Sequence, residues 1–297
     1  MSRLRQDQAL IAIDGGGSTC RLALCRDGQV TRVTAGHANM HTDREGALAE
    51  IAGGLAALSA AAGLDTADLR AIPAYAGLAG VLDAAAGATI AARLPFDQIR
   101  VEDDRQAAVT GALGRRDGYV AGIGTGSFLA RKTGEKIRLA GGHGLALGDE
   151  ASGAWLGREL LRACLHVLDG FAETTPLLED ALVRFDRSRA AIIAFSGTAT
   201  PGDYGGFAPS VVAAAEAGDS AGLALMRRGA DYLARALAAL GHQPGAAVCL
   251  TGGLGSRYRT FLPDSLRADV TAPAGTPLDG ALALARRFRL DLLKGHS

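Results

Sequence analysis

Ile11-Ala12-Ile13-Asp14-Gly15-Gly16-Gly17-Ser18-Thr19 is the stretch on which the fold turns. An apolar run meets an acid, then three glycines, then two hydroxyls, and a second apolar run, Leu22-Ala23-Leu24-Cys25, follows at once. The pattern predicts strand, tight turn, strand. Glycine has no Cβ and tolerates positive φ, so main-chain N–H groups can approach a ligand closely. Successive N–H groups in such a turn form a concave anion site, with phosphate as the usual guest. Asp14 stands where a metal bound to that phosphate could be held, directly or through water. On this stretch alone, an ordinary glycine-rich hairpin competes with the phosphate loop. Two other phosphate loops are excluded: no lysine follows the glycines as in G-x-x-x-x-G-K-[ST], and Arg21 to Cys25 reads as strand where a dinucleotide fingerprint needs a helix.

The same grammar returns about 110 residues later. Tyr119-Val120-Ala121-Gly122-Ile123 reads as strand, Gly124-Thr125-Gly126-Ser127 as loop, and Phe128-Leu129-Ala130-Arg131 as strand. Two such hairpins predict two domains of similar design facing one ligand. A third glycine loop, Thr251-Gly252-Gly253-Leu254-Gly255-Ser256, follows the apolar run 246–250 and suits a nucleoside contact. Between these landmarks the spacing predicts a strand at 30–33, a helix over 45–62, a strand over 70–80 and a helix over 83–93. A strand at 99–101 runs into Glu102-Asp103-Asp104, with a helix from about 105, and further helices span 154–168 and 221–240. Gly53-Gly54 inside the 45–62 helix implies close packing against a neighbour. A final helix starts near Thr276.

The 297 residues allow two domains, and 48% hydrophobic content supplies a large core. Lys plus Arg equals Asp plus Glu, 31 against 31, which argues against nucleic acid as the main partner. No apolar run reaches the length of a membrane span, and the first residues contain no signal-peptide core. Cys20, Cys25, Cys164 and Cys249 are scattered, show no C-x-x-C and suit a reducing cytoplasm. Cys20 and Cys25 are five apart on one presumed strand and so face opposite sides. His37, His41 and His143 lack the spacing of a metal site on one element. Trp155 reads as core, Arg115-Arg116 as a solvated turn, and Gly141-Gly142 as a hinge loop.

The ordered set Asp14-Gly15-Gly16-Gly17-Ser18-Thr19, Asp104, Gly124-Thr125-Gly126-Ser127, Gly148-Asp149-Glu150-Ala151-Ser152-Gly153, Thr251-Gly252-Gly253 and Pro277-Leu278-Asp279-Gly280-Ala281 resembles the BadF/BadG/BcrA/BcrD ATPase family. Within it, the chain is similar to the N-acetylglucosamine and glucosamine kinases of the actin-like superfamily. The resemblance runs over essentially the whole chain and implies an α/β fold of two ribonuclease-H-like (actin-like ATPase) domains with an active-site cleft between them. The expected domains are 1–117 and 118–283, with the final helix, 284–297, packing back on the first. It implies ATP and Mg²⁺ as cofactors, a small-molecule amino sugar as substrate, transfer of the γ-phosphate to the sugar 6-hydroxyl, no nucleic acid or membrane partner, and a homodimer as a common state. N-acetylglucosamine is placed slightly ahead of glucosamine.

Carried over residue by residue, the resemblance makes Asp104 the base, in Asp104-Arg105-Gln106-Ala107-Ala108. Asp103 is its rival, because an aspartate just before a helix is often a cap. Two adjacent carboxylates could also raise one another's pKa. Asp14 would hold Mg²⁺. Gly15, Gly16, Gly17, Ser18 and Thr19 would take the β- and γ-phosphates, Gly124, Thr125 and Gly126 would form the second phosphate hairpin, and Gly252, Gly253 and Leu254 would approach adenosine. Asn39, Ser127, His143, Asp149 and Asp104 would meet the sugar, with a helix cap as the competing reading for Asp149. A non-catalytic sugar sensor or other actin-like ATPase would keep the phosphate loops without needing Asp104. An electron-transfer activator would need cluster cysteines that this chain does not provide.

Overall fold

The computed structural model describes residues 9–17 and 19–295, so the expected phosphate contact Ser18 lies outside the described residues. In chain order the elements are β1 (Leu10–Gly15), β2 (Cys20–Arg26), β3 (Gln29–Ala35), α1 (Arg44–Ala62), α2 (Thr66–Arg70), β4 (Ala74–Leu78), α3 (Ala84–Ala91), β5 (Ile99–Asp103), α4 (Asp104–Leu113), β6 (Gly118–Ile123), β7 (Ser127–Thr133) and β8 (Lys136–Gly141). Then come α5 (Gly153–Leu168), α6 (Pro176–Val183), α7 (Arg189–Thr198), α8 (Pro201–Gly205), α9 (Ala208–Glu216), α10 (Ser220–Ala239), β9 (Val248–Thr251), α11 (Gly255–Tyr258), α12 (Asp264–Arg267) and α13 (Pro277–Gly295). The strand expected over 70–80 is shorter at its start. The carboxylates of Asp65 and Asp68 form a capping box that winds 66–70 into a helix instead.

The chain divides into two compact units. One runs to Arg115 and resumes at Pro273; the other is Arg116–Ala272. The first unit's sheet has the order β3-β2-β1-β4-β5, with β1, β2 and β3 antiparallel and β4 and β5 parallel to β1. Alternation along the strands splits its core in two. Ile11, Ile13, Cys20, Leu22, Leu24 and Ala76 lie on one side with Ile51, Leu55 and Leu58 of α1. Leu10, Ala12, Cys25 and Tyr75 lie on the other with Ala107 of α4 and Leu278, Ala281 and Leu282 of α13. Cys20 and Cys25 thus fall in opposite layers, as their spacing predicted. All four cysteines are free and buried, and burial pushes the Cys20 thiol up to about 12.

The second unit's sheet repeats the order as β8-β7-β6-β9. In place of a fifth strand, Val270 makes a single parallel bridge to Val248 of β9. One large core joins Tyr119, Ala121 and Ile123 of β6 to Trp155, Leu156 and Leu160 of α5 and to Met226, Leu233 and Leu237 of α10.

The return to the first unit begins at Pro273, earlier than the expected 284. The reason is a glycine-to-glycine helix crossing. A Cβ on Gly280 of α13 would sit 2.0 Å from the Ala107 carbonyl oxygen and 2.5 Å from the Gly111 nitrogen of α4. A Cβ on Gly111 would sit 2.0 Å from the Thr276 carbonyl oxygen. Only two bare backbones fit at that separation, so the first turn of α13 already belongs to this unit. A Cβ on Gly54 of α1 would similarly sit 2.5 Å from the Leu22 Cδ1, whereas nothing lies within 4 Å of a Cβ on exposed Gly53. Gly280→Ala should therefore cost ~1–3 kcal/mol through overpacking, while Gly53→Ala should add about 0.5–1 kcal/mol through helix propensity. Urea denaturation of the two variants checks the opposite signs.

Candidate functional site

In the first unit the glycine hairpin is closed by a hydrogen bond from the Gly16 amide to the Thr19 carbonyl, 3.0 Å. Gly15 is a packing glycine: a Cβ there would meet Leu78 Cδ2 at 2.6 Å and Ala38 Cβ at 3.0 Å. Gly17 has nothing within 4 Å on the side a Cβ would take, so its backbone is open to a ligand. The hairpin is stitched to two other loops. The Ala38 amide donates to the Gly16 carbonyl at 2.9 Å, the Ala79 amide to Gly15 at 2.7 Å, and the Met40 amide to Ala79 at 2.8 Å. Asn39 sits between these anchors. Its Oδ1 accepts from the His41 and Thr42 amides at 2.9 and 3.3 Å. Both donors are main-chain N–H groups, so the amide orientation is fixed and Nδ2 remains to donate elsewhere.

Asp14 is the last polar member of the α4-facing side of β1 and is 5% exposed. Its cross-strand neighbour Arg21 approaches to 3.4 Å. Burial nevertheless dominates over that arginine and raises the Asp14 pKa. Gly77 of β4 pairs with Asp14 in the ladder, and a Cβ on Gly77 would sit 3.3 Å from the Asp104 Cα and 3.2 Å from the Ala107 Cβ. The missing side chain lets the start of α4 lie against the sheet next to Asp14.

The two rival aspartates take different roles at that helix start. β5 ends at Asp103, and Asp104 is the first residue of α4. Asp103 is the N-cap, accepting from the Arg105 amide at 2.9 Å, and the Arg105 guanidinium grips both its oxygens. Burial opposes the Asp103 charge, but the Arg105 side chain and amide outweigh it, and its pKa falls. At Asp104 the Arg105 charge is only the weakest influence. Burial first, then the Asp103 charge and hydrogen bond, then the Asp14 charge, push it up to about 7. Asp103 is a spent cap, and Asp104 is a carboxyl with proton affinity to offer.

In the second unit the Gly124–Gly126 turn closes on itself, with the Gly124 amide donating to the Gly126 carbonyl at 2.9 Å. It rests on the start of α5, whose Gly153 and Ala154 amides donate to the Gly124 and Thr125 carbonyls at 2.8 and 3.1 Å. The third glycine loop meets the same place: the Leu254 amide donates to the Ile123 carbonyl at 3.0 Å. Gly252 has φ +79, and a Cβ on it would lie 2.3 Å from that carbonyl oxygen; Gly253 has open space.

Asp149 is 8% exposed and has a left-handed backbone, φ 59. Its Oδ2 would lie 2.8 Å from a Cβ on Gly126, so the carboxylate lies against the Gly124–Gly126 turn. Burial raises its pKa against the Gly144 and Ser127 amides, which donate to it. The helix-cap reading of Asp149 fails, because Ser152 caps α5 by accepting from the Trp155 amide at 3.0 Å. Ser127 is buried, and its hydroxyl donates to the Glu150 carbonyl at 2.7 Å. His143 is exposed, with its charge felt at Asp149.

The residues thus form two clusters. Asp14, Gly16, Gly17, Thr19, Asn39 and Asp104 gather in the first unit. Gly124, Thr125, Gly126, Ser127, Asp149 and Gly252–Leu254 gather in the second, with His143 at its rim. Gly77 was not singled out from sequence, although the small residues Ala74, Ala76 and Gly77 around Tyr75 were its trace. Among the described residues no three His, Cys, Asp or Glu side chains converge as a metal site. One carboxylate such as Asp14 suits Mg²⁺, which keeps its waters and takes phosphate oxygens as its other ligands. The buried, under-neutralised Asp14 beside Asp104 fits that ion chemically. Among the described residues no helix is long and apolar enough to cross a membrane.

Comparisons with known proteins place the chain in a family. The glucosamine kinase GspK of Vibrio cholerae serotype O1 is 30% identical over 288 residues, covering 96% of this chain and 98% of that protein. The solved structure of a candidate N-acetylglucosamine kinase from Chromobacterium violaceum superposes with a TM-score of 0.83 at 30% identity, covering 93% of this chain and 98% of the other. A ROK family glucokinase from Streptomyces griseus, solved with glucose and AMPPNP, shares the fold at a TM-score of 0.57 and 20% identity, over 94% of this chain and 99% of its own. The family pattern described as the BadF/BadG/BcrA/BcrD ATPase family matches residues 11–280, and the chain, with its repeated strand–turn–strand units, belongs to that family.

Proposed function

We propose that this protein is an ATP-dependent hexosamine kinase that transfers the γ-phosphate of ATP to the 6-hydroxyl of glucosamine or N-acetylglucosamine. The observation that carries the reading is Asp104: a carboxyl raised to about 7 by burial and by its acidic neighbours, which outweigh the Arg105 charge. Phosphoryl transfer asks a protein mainly for positioning and charge neutralisation, plus a carboxylate to orient the hydroxyl and accept its proton. A general base works best with a pKa near the operating pH, which is where Asp104 stands. A sensor without chemistry has no need of such a group.

Around that base the other residues take these roles. Asp14 would hold Mg²⁺, whose charge offsets that of the phosphates. The open backbone at Gly17, with Gly16, Thr19 and Ser18, would receive the terminal phosphates, and Gly124–Gly126 would form the second phosphate turn. The open face at Gly253, between Gly252 and Leu254, would admit adenosine. Asn39 would donate to a sugar hydroxyl through Nδ2, and Asp149 would accept from two others. Ser127 serves that carboxylate from behind, through its amide and through its grip on Glu150. An ammonium substituent would favour a carboxylate partner, and an acetyl group a small apolar pocket with an amide partner.

A coupled ADP-release assay with Mg²⁺ and ATP against glucosamine, N-acetylglucosamine, N-acetylmannosamine, glucose and no sugar tests the reading. Turnover that depends on one amino sugar is expected; sugar-independent hydrolysis would mean a different actin-like ATPase. Asp104→Asn should lower kcat by about a hundred- to ten-thousand-fold while sugar binding by calorimetry persists. In the native enzyme kcat/KM should decline as pH falls below about 7, where Asp104 takes up a proton. Because the folded state favours the protonated form, the contribution of Asp104 to stability is fully present below the ordinary aspartate range and is lost as pH rises through about 7. Asp104→Asn should therefore raise the melting temperature of the ligand-free protein at pH 8, by several degrees, and leave it nearly unchanged near pH 4. Thermal melts at the two pH values check the sign.

A further inference from the structure

The loop joining β8 to α5 carries Asp149, and its backbone is costly. Gly141, Gly142 and Gly144 have φ of 70, 72 and 83, and the non-glycine residues Asp149 and Ala151 have φ of 59 and 68. Each left-handed non-glycine residue is strained and persists only where its surroundings over-determine it. The over-determination comes from two helices of the same unit. Arg158 of α5 donates through Nη1 to the Leu145 carbonyl at 2.6 Å. Next to it Glu159 is buried, at 5% exposure, a rare state for a glutamate unless it is paired. Its partners are Arg158 at 3.4 Å, Arg228 of α10 at 2.8 Å and Arg162 at 3.7 Å. The Arg228 guanidinium also lies over the Trp155 ring, 5.2 Å from its centroid. One turn further along α10, on the same face, Tyr232 hydrogen-bonds Glu150, on the other side of Asp149 from Leu145.

We propose that Glu159 and Arg158 are positioning residues for the amino-sugar site. Glu159 gathers the arginines, Arg158 straps the loop 141–150 to α5 at Leu145, and the strap holds Asp149 with its carboxylate against Gly126. The identity of the sugar rests on the kinase reading above; the strap rests on the contacts alone. Arg162 reaches Glu159 but not the loop, and is the internal control.

The test compares Arg158→Gln, Glu159→Gln, Arg158→Lys and Arg162→Ala with the native protein by two readouts. The first is limited chymotrypsin cleavage after Leu145 and Leu147, followed by mass spectrometry; Leu147 is 84% exposed and accessible to the protease. The second is the KM for the amino sugar and, separately, for ATP. Arg158→Gln and Glu159→Gln should be cut in the loop about five-fold faster, since local opening governs cleavage. They should raise the sugar KM about ten-fold, the size of one lost charge-assisted hydrogen bond. The ATP KM should stay within about two-fold, as should every readout for Arg162→Ala. Arg158→Lys, which can still donate to the Leu145 carbonyl, should recover most of the protection. Native cleavage rates in Arg158→Gln and Glu159→Gln, or an equal rise in both KM values, would overturn the proposal. If Glu159→Gln fails to fold, Arg158→Gln, altered at a side chain 37% exposed, carries the test. If the native protein phosphorylates no hexosamine, the kinase reading falls while the cleavage rates still decide the strap.

Discussion

Two carboxylates held close together with too little positive charge between them set the terms for the first unit. Asp14 is buried in the sheet, and Gly77 lets the start of α4 settle beside it, so Asp104 feels both Asp14 and Asp103. Nearby arginines are only partly available: Arg105 is committed to Asp103, and Arg21 is half exposed at 3.4 Å from Asp14. Leaving a buried charge under-compensated is unfavourable in the resting protein. The fold maintains the arrangement by packing α13 against α4.

The second unit works by a different means. Its Gly124–Gly126 turn, its third glycine loop and the start of α5 are tied together by peptide groups, with the Ile123, Gly124 and Thr125 carbonyls accepting from Leu254, Gly153 and Ala154. These bonds need no particular side chain, which is why glycines can fill the loops and leave their outer faces free. The Asp149 carboxylate depends on an unusual backbone conformation for its place. Its environment is built from main-chain amides below and from helix side chains behind.

Much of this was legible in the residues, because strand–glycine turn–strand is a strong local pattern. Both hairpins, the strand-to-helix junction at Asp103-Asp104 and the buried cysteines on opposite faces of β2 follow from spacing alone. The choice between Asp103 and Asp104 does not. It depends on which carboxylate meets the Arg105 amide and guanidinium, a matter of one residue of helix phase. The roles of the glycines divide in the same way. Gly15, Gly77, Gly111 and Gly280 are there because another chain segment needs the space, and such neighbours are far away in sequence. The left-handed backbone at Asp149 was hidden because aspartate does not advertise it, and the link from Arg158 to Leu145 because helix residues read as solvent-facing or core and not as fasteners for a loop. The final helix start near Thr276 was legible, but the return of the chain at Pro273 and not at 284 was not, because it rests on the fit of Gly280 against Ala107 and Gly111 of α4, far away in sequence.

The discontinuity of the first unit has a consequence for how the protein is made. Leu278, Ala281, Leu282 and Ala285 supply much of one face of its core, yet they are translated after the whole of Arg116–Ala272. During synthesis the strands β1 to β5 emerge first and must wait with that face of the sheet uncovered. The second unit, continuous in sequence, has all its parts in hand sooner. The usual order in which domains mature on the ribosome, first-made first-folded, is inverted here. The long-exposed face of β1 and β4, with its apolar alternation, is the part of the nascent chain most in need of protection until α13 arrives.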